Sequence, residues 1–371
     1  GFNGVVMDDY TWDLSMQWHI ADYLTNDCCY LQKPEYTEAA TAFAPGGAGT
    51  FKGQSDLFHP DVVAYYTASP SVTSHSQFRS LEYTFGGPLK IVPNTDFIAG
   101  IQDAEYTYEN IYDKQSEVGN VGGSSGNSSG NARDYTAMFF ETKTSLMDGA
   151  GELSVAVRND DYSDFGTNTS YTVKGLWDVM EGLTLRASVG TGFRAPGLGD
   201  LAANTTFSAD SHTDYVKCNA QGIARADCPS EQVNTYISAN PNLGPEESES
   251  TNIGAIYTFG NHSIAVDIFN TEIDGIITGV SVQNIIDAAI LGASYTATLA
   301  SQGAYCERLN GLADANLQQC FRNPINGNQT TVAGTDFKYN GVFETGVGDF
   351  DVNLGLVLMD EYETEAFYNG P

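Results

Sequence analysis

The sequence predicts an all-β protein: an antiparallel up-and-down transmembrane β-barrel with short turns at one end and long loops at the other. Three observations predict this fold class. Apolar and polar residues alternate one for one in several stretches, and tight and long connections follow each other strictly along the chain. No run approaches the roughly eighteen consecutive apolar residues that a membrane helix needs.

The alternating stretches indicate strands with one apolar and one polar face. In the clearest example Leu183, Leu185 and Val189 alternate with Thr184 and Arg186. Successive side chains of a strand point to opposite faces, so each face of such a strand has a single character. Similar alternation occurs at 12–18, 153–158, 264–269 and 350–358. Along the whole chain we expect roughly twelve strands of this kind.

The connections between these strands are sorted by length. Tight turns are expected near 7–9, 86–88, 148–151, 181–182, 260–261 and 346–348, and long loops at 19–71, 113–133, 197–245 and 276–330, with a short one at 164–167. In an up-and-down sheet, strict alternation places all tight turns at one end and all long loops at the other. Outer-membrane barrels have this asymmetry, with short periplasmic turns and long extracellular loops. A β-sandwich has no reason to separate them in this way.

Further strands are expected outside this stretch of chain. A sheet in lipid has to close, because an open edge leaves backbone groups without hydrogen-bond partners. The strands expected here are too few to close a barrel that carries loops of this size. Residues 1–371 are therefore expected to form one part of a larger barrel.

The formal net charge of −31 argues against nucleic acid as a partner, because its phosphates are bound by Lys and Arg. The charge fits either a generally acidic surface or an anion-rich loop region. Such a loop region would attract cations and hydroxylated ligands.

The six cysteines include two near pairs, Cys218 with Cys228 and Cys306 with Cys320, each inside a long polar loop. Such short spacings predict disulfides and therefore an oxidising compartment. The two remaining cysteines are adjacent, at 28–29, and have no assigned partner.

The sequence does not predict catalysis. The stretch 122–126, Gly-Gly-Ser-Ser-Gly, matches a serine-nucleophile pattern, but it lies in a linker-like composition instead of between a strand and a helix. The five histidines form no pair four residues apart. Acidic positions at 8–9, 160–161, 164, 246–249 and 360–363 could bind Ca²⁺ or act as a carboxylate pair in glycoside hydrolysis. We expect no enzyme and no cofactor, with Ca²⁺ in the acidic loops as the alternative.

Two segments on either side of a cysteine-bearing loop form a pair of motifs. The first is Gly-Phe-Arg-Ala-Pro at a strand end, and the second is Asn-Pro-x-Leu-x-Pro-Glu before the next strand. This pair, in this order and at this distance, resembles the barrel of bacterial TonB-dependent outer-membrane receptors. The matching positions are Gly192, Phe193, Arg194, Ala195, Pro196, Asn240, Pro241, Pro245 and Glu246. The likeness extends over residues 78–362.

The resemblance implies a barrel of about 22 strands that holds an N-terminal plug domain, with a short energy-coupling box ahead of the plug. Plug, box and closing strands are not visible in this sequence, so the chain is expected to be the middle and later part of a longer receptor. The motif residues are expected to be structural. Pro196 would end backbone pairing, Gly192 would relieve crowding, and Arg194 would pair with an acidic residue of the plug or wall.

The function implied by the resemblance is energised import across the outer membrane of a Gram-negative bacterium. The cargo would be a nutrient too large for porins: a ferric siderophore, cobalamin or an oligosaccharide. The implied partners are outer-membrane lipid, the TonB complex through the plug, and the ligand. We expect ligand contacts in the loops, at Tyr215, Tyr236, Tyr295, Asn204 and Asn234. A passive barrel channel and a secreted β-rich carbohydrate-binding protein or hydrolase are the alternatives.

Overall fold

A computed structural model of the chain describes residues 1–7, 9–122, 126–327 and 329–364. The strands are β1 (Phe2–Val6), β2 (Tyr10–Asn26), β3 (Tyr30–Leu31), β4 (Thr67–Ala68), β5 (Ser71–Pro88), β6 (Thr95–Tyr112), β7 (Ser129–Leu146), β8 (Gly151–Tyr162), β9 (Gly166–Met180), β10 (Leu183–Arg194), β11 (Thr206–Thr213), β12 (Ser230–Ile237), β13 (Glu246–Phe259), β14 (His262–Asp274), β15 (Ile277–Gly279), β16 (Tyr305–Arg308), β17 (Leu317–Phe321), β18 (Pro324–Asn326), β19 (Thr330–Thr345) and β20 (Gly348–Thr364).

Short helices lie between some of these strands. They are α1 (Lys33–Phe43), α2 (Pro60–Tyr66), α3 (Lys114–Glu117), α4 (Leu198–Ala202), α5 (Tyr215–Ala220), α6 (Val282–Leu291) and α7 (Ala293–Ser301). Within the described residues, none is long and apolar enough to span a membrane.

One large antiparallel sheet confirms the predicted fold class. It has twelve strands in the order β1-β2-β5-β6-β7-β8-β9-β10-β13-β14-β19-β20, so each strand pairs with the next strand of the sheet along the chain. Several strands are long, and β5, β6 and β7 each have 18 residues. At about 3.3 Å per residue, such a strand can cross the hydrocarbon core at a tilt and project beyond it. The sheet is open in this chain, with β1 and β20 at its edges.

The two faces of the sheet differ as the alternation predicts. On one face apolar side chains stand opposite each other on neighbouring strands, for example Ile101 beside Met138 and Ile253 beside Ile268. These side chains are exposed, and Ile253 is 64% and Ile268 61% accessible. Exposed apolar side chains in a continuous band are the signature of a lipid-facing barrel surface.

The opposite face is polar and charged. Arg186 of β10 reaches across β13 to form a two-point ion pair with Asp267 of β14. Gly254 of β13 lies beneath this pair, and a Cβ atom there would collide with the Asp267 carboxylate. A second arginine, Arg158, binds Asp160 with 3.0 Å between Nε and Oδ1. Polar side chains of this kind line the interior of a membrane barrel.

The tight turns of the large sheet lie at one end of its strands, and the long connections lie at the other end. Tight turns join β1 to β2, β5 to β6, β7 to β8, β9 to β10, β13 to β14 and β19 to β20 at one end. At the other end lie residues 27–70, 113–122, 126–128, 163–165, 195–245, 275–327 and 329, which we call the crown. Most of the small strands and all seven helices named above belong to the crown.

Three predicted boundaries are wrong. The first loop was expected from residue 19, but β2 continues to Asn26, because its backbone pairs with β5 as far as Ser71 even where the apolar alternation has faded. The second loop was expected to end at 133, but β7 begins at Ser129. The turn expected at 86–88 lies instead at 89–94, since β5 pairs with β6 up to Pro88.

Candidate functional site in the crown

The two motif segments meet at the rim of the sheet. Arg194 is the last residue of β10, Glu246 is the first residue of β13, and the two are register partners. Their side chains form a two-point ion pair, with 2.6 Å between Arg194 Nε and Glu246 Oε2. The backbone amide of Ile277 donates a further hydrogen bond of 2.7 Å to Glu246 Oε1. The pair therefore ties both ends of crown segment 195–245 to the beginning of segment 275–329.

The residues next to Arg194 are held by another arginine. Arg133 is buried, and its Nη2 donates a hydrogen bond of 2.8 Å to the carbonyl of the fully buried Pro196. The same guanidinium pairs with Asp164 at 2.6 Å and lies 5.5 Å from the ring centre of Tyr162. Phe193 packs edge-on against that ring at 5.8 Å. This cluster fixes the point at which the chain leaves β10.

The remaining motif positions have simpler surroundings. Gly192 faces Ser248 of β13, whose hydroxyl lies 3.0 Å from where a Cβ would be. Ala195 and Pro245 are half-buried, and Pro241 is exposed in a turn. The structural role expected for these residues stays a prediction.

Asparagines join the second motif segment to the other large crown segment. The buried Asn240 donates a hydrogen bond of 2.9 Å from Nδ2 to the carbonyl of Pro324. Asn326 accepts a hydrogen bond from the amide of Gly244 at 2.9 Å and donates to the carbonyls of Gly244 and Gly275 at 3.0 and 2.9 Å. Segments 195–245 and 275–329 are therefore one connected unit.

A four-stranded sheet completes this unit. Its order is β11-β12-β17-β16, with two strands from each segment and a parallel pairing of β12 with β17 in the centre. We call it the crown sheet. One face is covered by α6, where Val282 and Ile286 pack with Val233 and Cys320.

Two disulfides lie in the crown. Cys218 and Cys228 are bonded across α5 and the turn that follows it, with 5.9 Å between their Cα atoms. Cys306 and Cys320 are bonded across β16 and β17, where they are register partners. Cys28 and Cys29 are exposed free thiols in segment 27–70.

The five residues expected to contact ligand do not form one cluster. Tyr215 lies on α5 with the Arg225 guanidinium 4.0 Å from its ring centre, and Tyr295 packs against the apolar core between α6 and α7. Asn204 donates a hydrogen bond to the carbonyl of Ser128. Only Tyr236 and Asn234 share a surface, the face of the crown sheet opposite α6.

Three aromatic residues that sequence reasoning missed lie on the same face as Tyr236. Phe207, Tyr236, Phe321 and Tyr305 are register partners across the four strands of the crown sheet. The signal was available: if Cys306 and Cys320 face each other on antiparallel strands, their neighbours Tyr305 and Phe321 do so too. What the sequence did not indicate is the pairing of β12 with β17.

A buried ion pair holds β16 of the crown sheet to the beginning of α5. Asp214, almost fully buried, binds the Arg308 guanidinium with 2.6 Å between Oδ1 and Nη2 and accepts the amide of Lys217 at 3.1 Å. Burial by itself raises the pKa of Asp214, but the hydrogen bonds from Arg308 and Lys217 outweigh it and leave the pKa below its ordinary value. Asp214 is therefore the charged N-cap of α5 and the anchor of β16.

Most acidic clusters proposed for Ca²⁺ are engaged otherwise. Asp160 binds Arg158, Asp164 binds Arg133, and Glu246 binds Arg194. Within the described part of the chain, no group of three or more His, Cys, Asp or Glu side chains is placed to hold a metal ion. Of the Gly-Gly-Ser-Ser-Gly stretch, residues 123–125 lie outside the described residues.

A family model described as "TonB dependent receptor-like, beta-barrel" matches residues 5–370. The chain belongs to this family. The match is wider than the likeness at 78–362 that the motifs indicated. TonB-dependent receptors are outer-membrane proteins of Gram-negative bacteria, which confirms the predicted compartment and the assignment of the crown to the extracellular side. The family consists of receptors and transporters and not of enzymes.

Solved TonB-dependent receptors have the same fold. The siderophore receptor PirA of Acinetobacter baumannii superimposes with a TM-score of 0.59 at 12% identity and covers 96% of this chain and 43% of its own. A mutant of the ferric enterobactin receptor PfeA of Pseudomonas aeruginosa gives 0.58 at 17% identity, covering 95% of this chain and 42% of its own. At these identities the likeness concerns the fold alone.

A curated relative is similar in part of the sequence. The vitamin B12 transporter BtuB of Photobacterium profundum is 28% identical over 145 residues, which are 39% of this chain and 18% of the transporter. The chain thus spans less than half the length of each of these three relatives.

Proposed function

We propose that this TonB-dependent receptor imports a large, scarce nutrient across the outer membrane with energy delivered through TonB. The nutrient is a ferric siderophore, cobalamin or an oligosaccharide. The observation that carries the proposal is the crown: the long connections lie at one rim, and two of them fold into a unit that is joined by Asn326 and tied to the barrel by Arg194 and Glu246. A passive channel has no need of a folded, disulfide-bonded structure above its mouth.

The proposed mechanism begins with capture of the ligand by the crown. The ligand then reaches a plug inside the barrel, and a TonB-driven rearrangement of that plug opens the way to the periplasm. The polar face that carries Arg186, Asp267 and Arg158 supplies a hydrogen-bonding surface for the plug. None of these steps changes a covalent bond of the ligand.

A deletion of the complete gene tests the proposal. The native strain, the deletion strain and a strain lacking TonB are grown with iron held by the strain's own siderophores, with cobalamin, or with oligosaccharides as the limiting nutrient. We expect the gene deletion to slow growth in one of these media, and the loss of TonB to give the same defect there. Complementation with the intact gene restores growth.

Two outcomes would contradict the proposal. If the deletion strain grows like the native strain in all three media, the receptor does not import these nutrients. If the defect appears in the deletion strain but not in the strain lacking TonB, transport is passive and the channel alternative is correct.

A further inference from the structure

We propose that the face of the crown sheet opposite α6 binds a neutral oligosaccharide that packs along its row of aromatic side chains. We call this surface the aromatic face. The inference rests on the proposed uptake function and chooses among its three nutrient classes. Three independent features support it: an aromatic row, a polar row beside it, and the charge of the crown.

The aromatic row crosses all four strands of the crown sheet. Tyr236, Phe321 and Tyr305 stack on one another with ring centres 5.5 and 4.8 Å apart, and Phe207 lies edge-on to Tyr236 at 6.0 Å. The Lys33 ammonium group lies 5.6 Å from the ring centre of Phe207. A ligand on this face therefore meets mainly ring edges. All four side chains are partly exposed although they are large and apolar. With strands about 4.8 Å apart, the row is roughly 14 Å long, the length of a few consecutive sugar rings.

A polar row runs parallel to the aromatic row, two residues away from it on β12, β17 and β16, and the corresponding residue of β11 is Ala209. Asn234 is the register partner of Ala209 and Gln319, and Gln319 is the register partner of Glu307. Asn234 is exposed, and Gln319 donates a hydrogen bond of 2.6 Å to Glu307. Residues two apart on a strand share a face, so these side chains border the rings.

The two rows match the two kinds of surface on a sugar. A pyranose ring has an apolar C–H face and a rim of hydroxyl groups. The C–H face can pack against the apolar ring edges of the aromatic row and displace water from them. Amide and carboxylate side chains next to the rings can donate to and accept from the hydroxyl groups. A linear chain would use both rows at once, whereas a compact iron chelate would touch only part of them.

The charge of the crown disfavours an anionic ligand. Its segments hold sixteen Asp and Glu residues against seven Lys and Arg residues. Three of the basic side chains are already paired within the crown: Lys217 with Glu231 at 2.6 Å, Arg308 with Asp214 at 2.6 Å, and Arg322 with Asp210 at 2.8 Å. A polyanion such as a ferric tris-catecholate would meet a negative potential. A neutral oligosaccharide is not repelled.

The full-length receptor in detergent or in nanodiscs provides the test. Binding is measured by calorimetry with maltohexaose, cellohexaose, laminarihexaose and xylohexaose as neutral probes, and with ferric enterobactin and cobalamin as competitors of other classes. We expect at least one hexasaccharide to bind. Tyr236→Ala and Phe321→Ala should weaken that binding at least tenfold, and Tyr236→Phe should keep it within threefold, since it retains the ring.

The matched control is Phe58→Ala, which removes an exposed aromatic side chain of the crown outside the crown sheet, 74% accessible in this structure. It should bind the hexasaccharide like the native protein. Near-ultraviolet circular dichroism and the resistance of the crown to protease show whether each variant is folded. If Tyr236→Ala unfolds the crown, the aromatic face is tested instead with Asn234→Ala, an exposed change that should weaken binding at least threefold.

Two results would overturn the inference. One is that none of the four hexasaccharides binds. The other is that a hexasaccharide binds equally well to the native protein and to folded Tyr236→Ala and Phe321→Ala variants. A different result would contradict the uptake proposal alone. If a strain lacking TonB still grows on the bound sugar, import is not energised by TonB, but the sugar-binding inference stands.

Discussion

Arg194 and Glu246 are register partners on β10 and β13, and their two-point ion pair closes a crown segment of about fifty residues at the rim of the barrel. The Arg194 side chain is 67% exposed while that of Glu246 is 10% exposed. The two residues contribute unequally to stability, because removing the arginine leaves a nearly buried carboxylate that keeps the Ile277 amide as its partner among the described residues.

Arg194→Ala should loosen the attachment of segment 195–245. Loss of the charge-assisted hydrogen bonds to Glu246 is expected to cost about 1–3 kcal/mol. Limited proteolysis of the intact receptor should then cut this segment faster. Arg194→Lys should be intermediate, because an ammonium group cannot make the two-point contact. Arg79→Ala, which removes an exposed pair with Glu105, is the control and should leave the rate unchanged. If protease cuts the Arg194→Ala variant at the same rate as the native receptor, the ion pair does not hold this segment to the barrel.

Asn326→Ala should separate the two large crown segments. The substitution removes two hydrogen bonds to Gly244 and one to Gly275, and it leaves their backbone groups without these partners. We expect a loss of about 2–3 kcal/mol, visible as faster amide hydrogen exchange at residues 240–246. Asn326→Asp keeps the acceptor for the Gly244 amide but places a carboxylate oxygen against the carbonyls of Gly244 and Gly275, so it should destabilise at least as much. If the native protein and both variants exchange amide hydrogens equally fast at residues 240–246, Asn326 does not hold the two segments together.

The ion pair of Asp214 should make the crown sensitive to acid. Its folded pKa is lowered below the ordinary value of 3.8, so the stabilisation is complete above that value and is lost as pH falls through the folded pKa. Asp214→Asn keeps an N-cap side chain for α5 but loses the charge that binds Arg308. The variant should show faster exchange in α5 and β16 at pH 7, after correction for intrinsic rates, and should converge with the native protein once the pH falls below the folded pKa of Asp214. A constant difference across this range would contradict the prediction.

The cysteines should fall into two classes. Mass spectrometry of the unreduced receptor should find Cys218 linked to Cys228 and Cys306 linked to Cys320, while a maleimide reagent labels only residues 28–29. Replacing the pair Cys306 and Cys320 by Ala should cost the crown sheet about 3 kcal/mol, as expected for a loop of this length. Maleimide labelling of Cys306 or Cys320 in the native, unreduced protein would show that this disulfide is not formed.

Gly254→Ala should disturb the polar face of the barrel. The new methyl group would collide with the Asp267 carboxylate and displace it from Arg186, at a cost of about 1–3 kcal/mol. The thermal unfolding midpoint in detergent should fall. Gly175→Ala, at a strand position of the same sheet with open space around the added Cβ, is the matched control and should stay within about 0.5 kcal/mol of the native protein. Equal midpoints for the two variants would show that Gly254 is not required by the pair.

The barrel could be predicted because its signals are local. Alternation such as that of Leu183, Thr184 and Leu185 reports which side of a strand is in lipid, and it needs no knowledge of the partner strand. The prediction failed where this signal fades: β2 beyond His19 is held by hydrogen bonds to β5 and not by its own apolar pattern. The backbone of such a segment pairs irrespective of its side chains, so only the partner strand reveals it.

The sequence by itself determined the fold class, the side on which the long connections lie and the family, since periodicity, connection length and motif order are all properties of the linear chain. Tertiary structure decided which crown residues meet. It paired Arg194 with Glu246, joined β12 to β17 and brought Phe207, Tyr236, Phe321 and Tyr305 into one row. These contacts link residues far apart in sequence, and the free energy that selects them comes from burial and hydrogen bonding between segments, which no local pattern records.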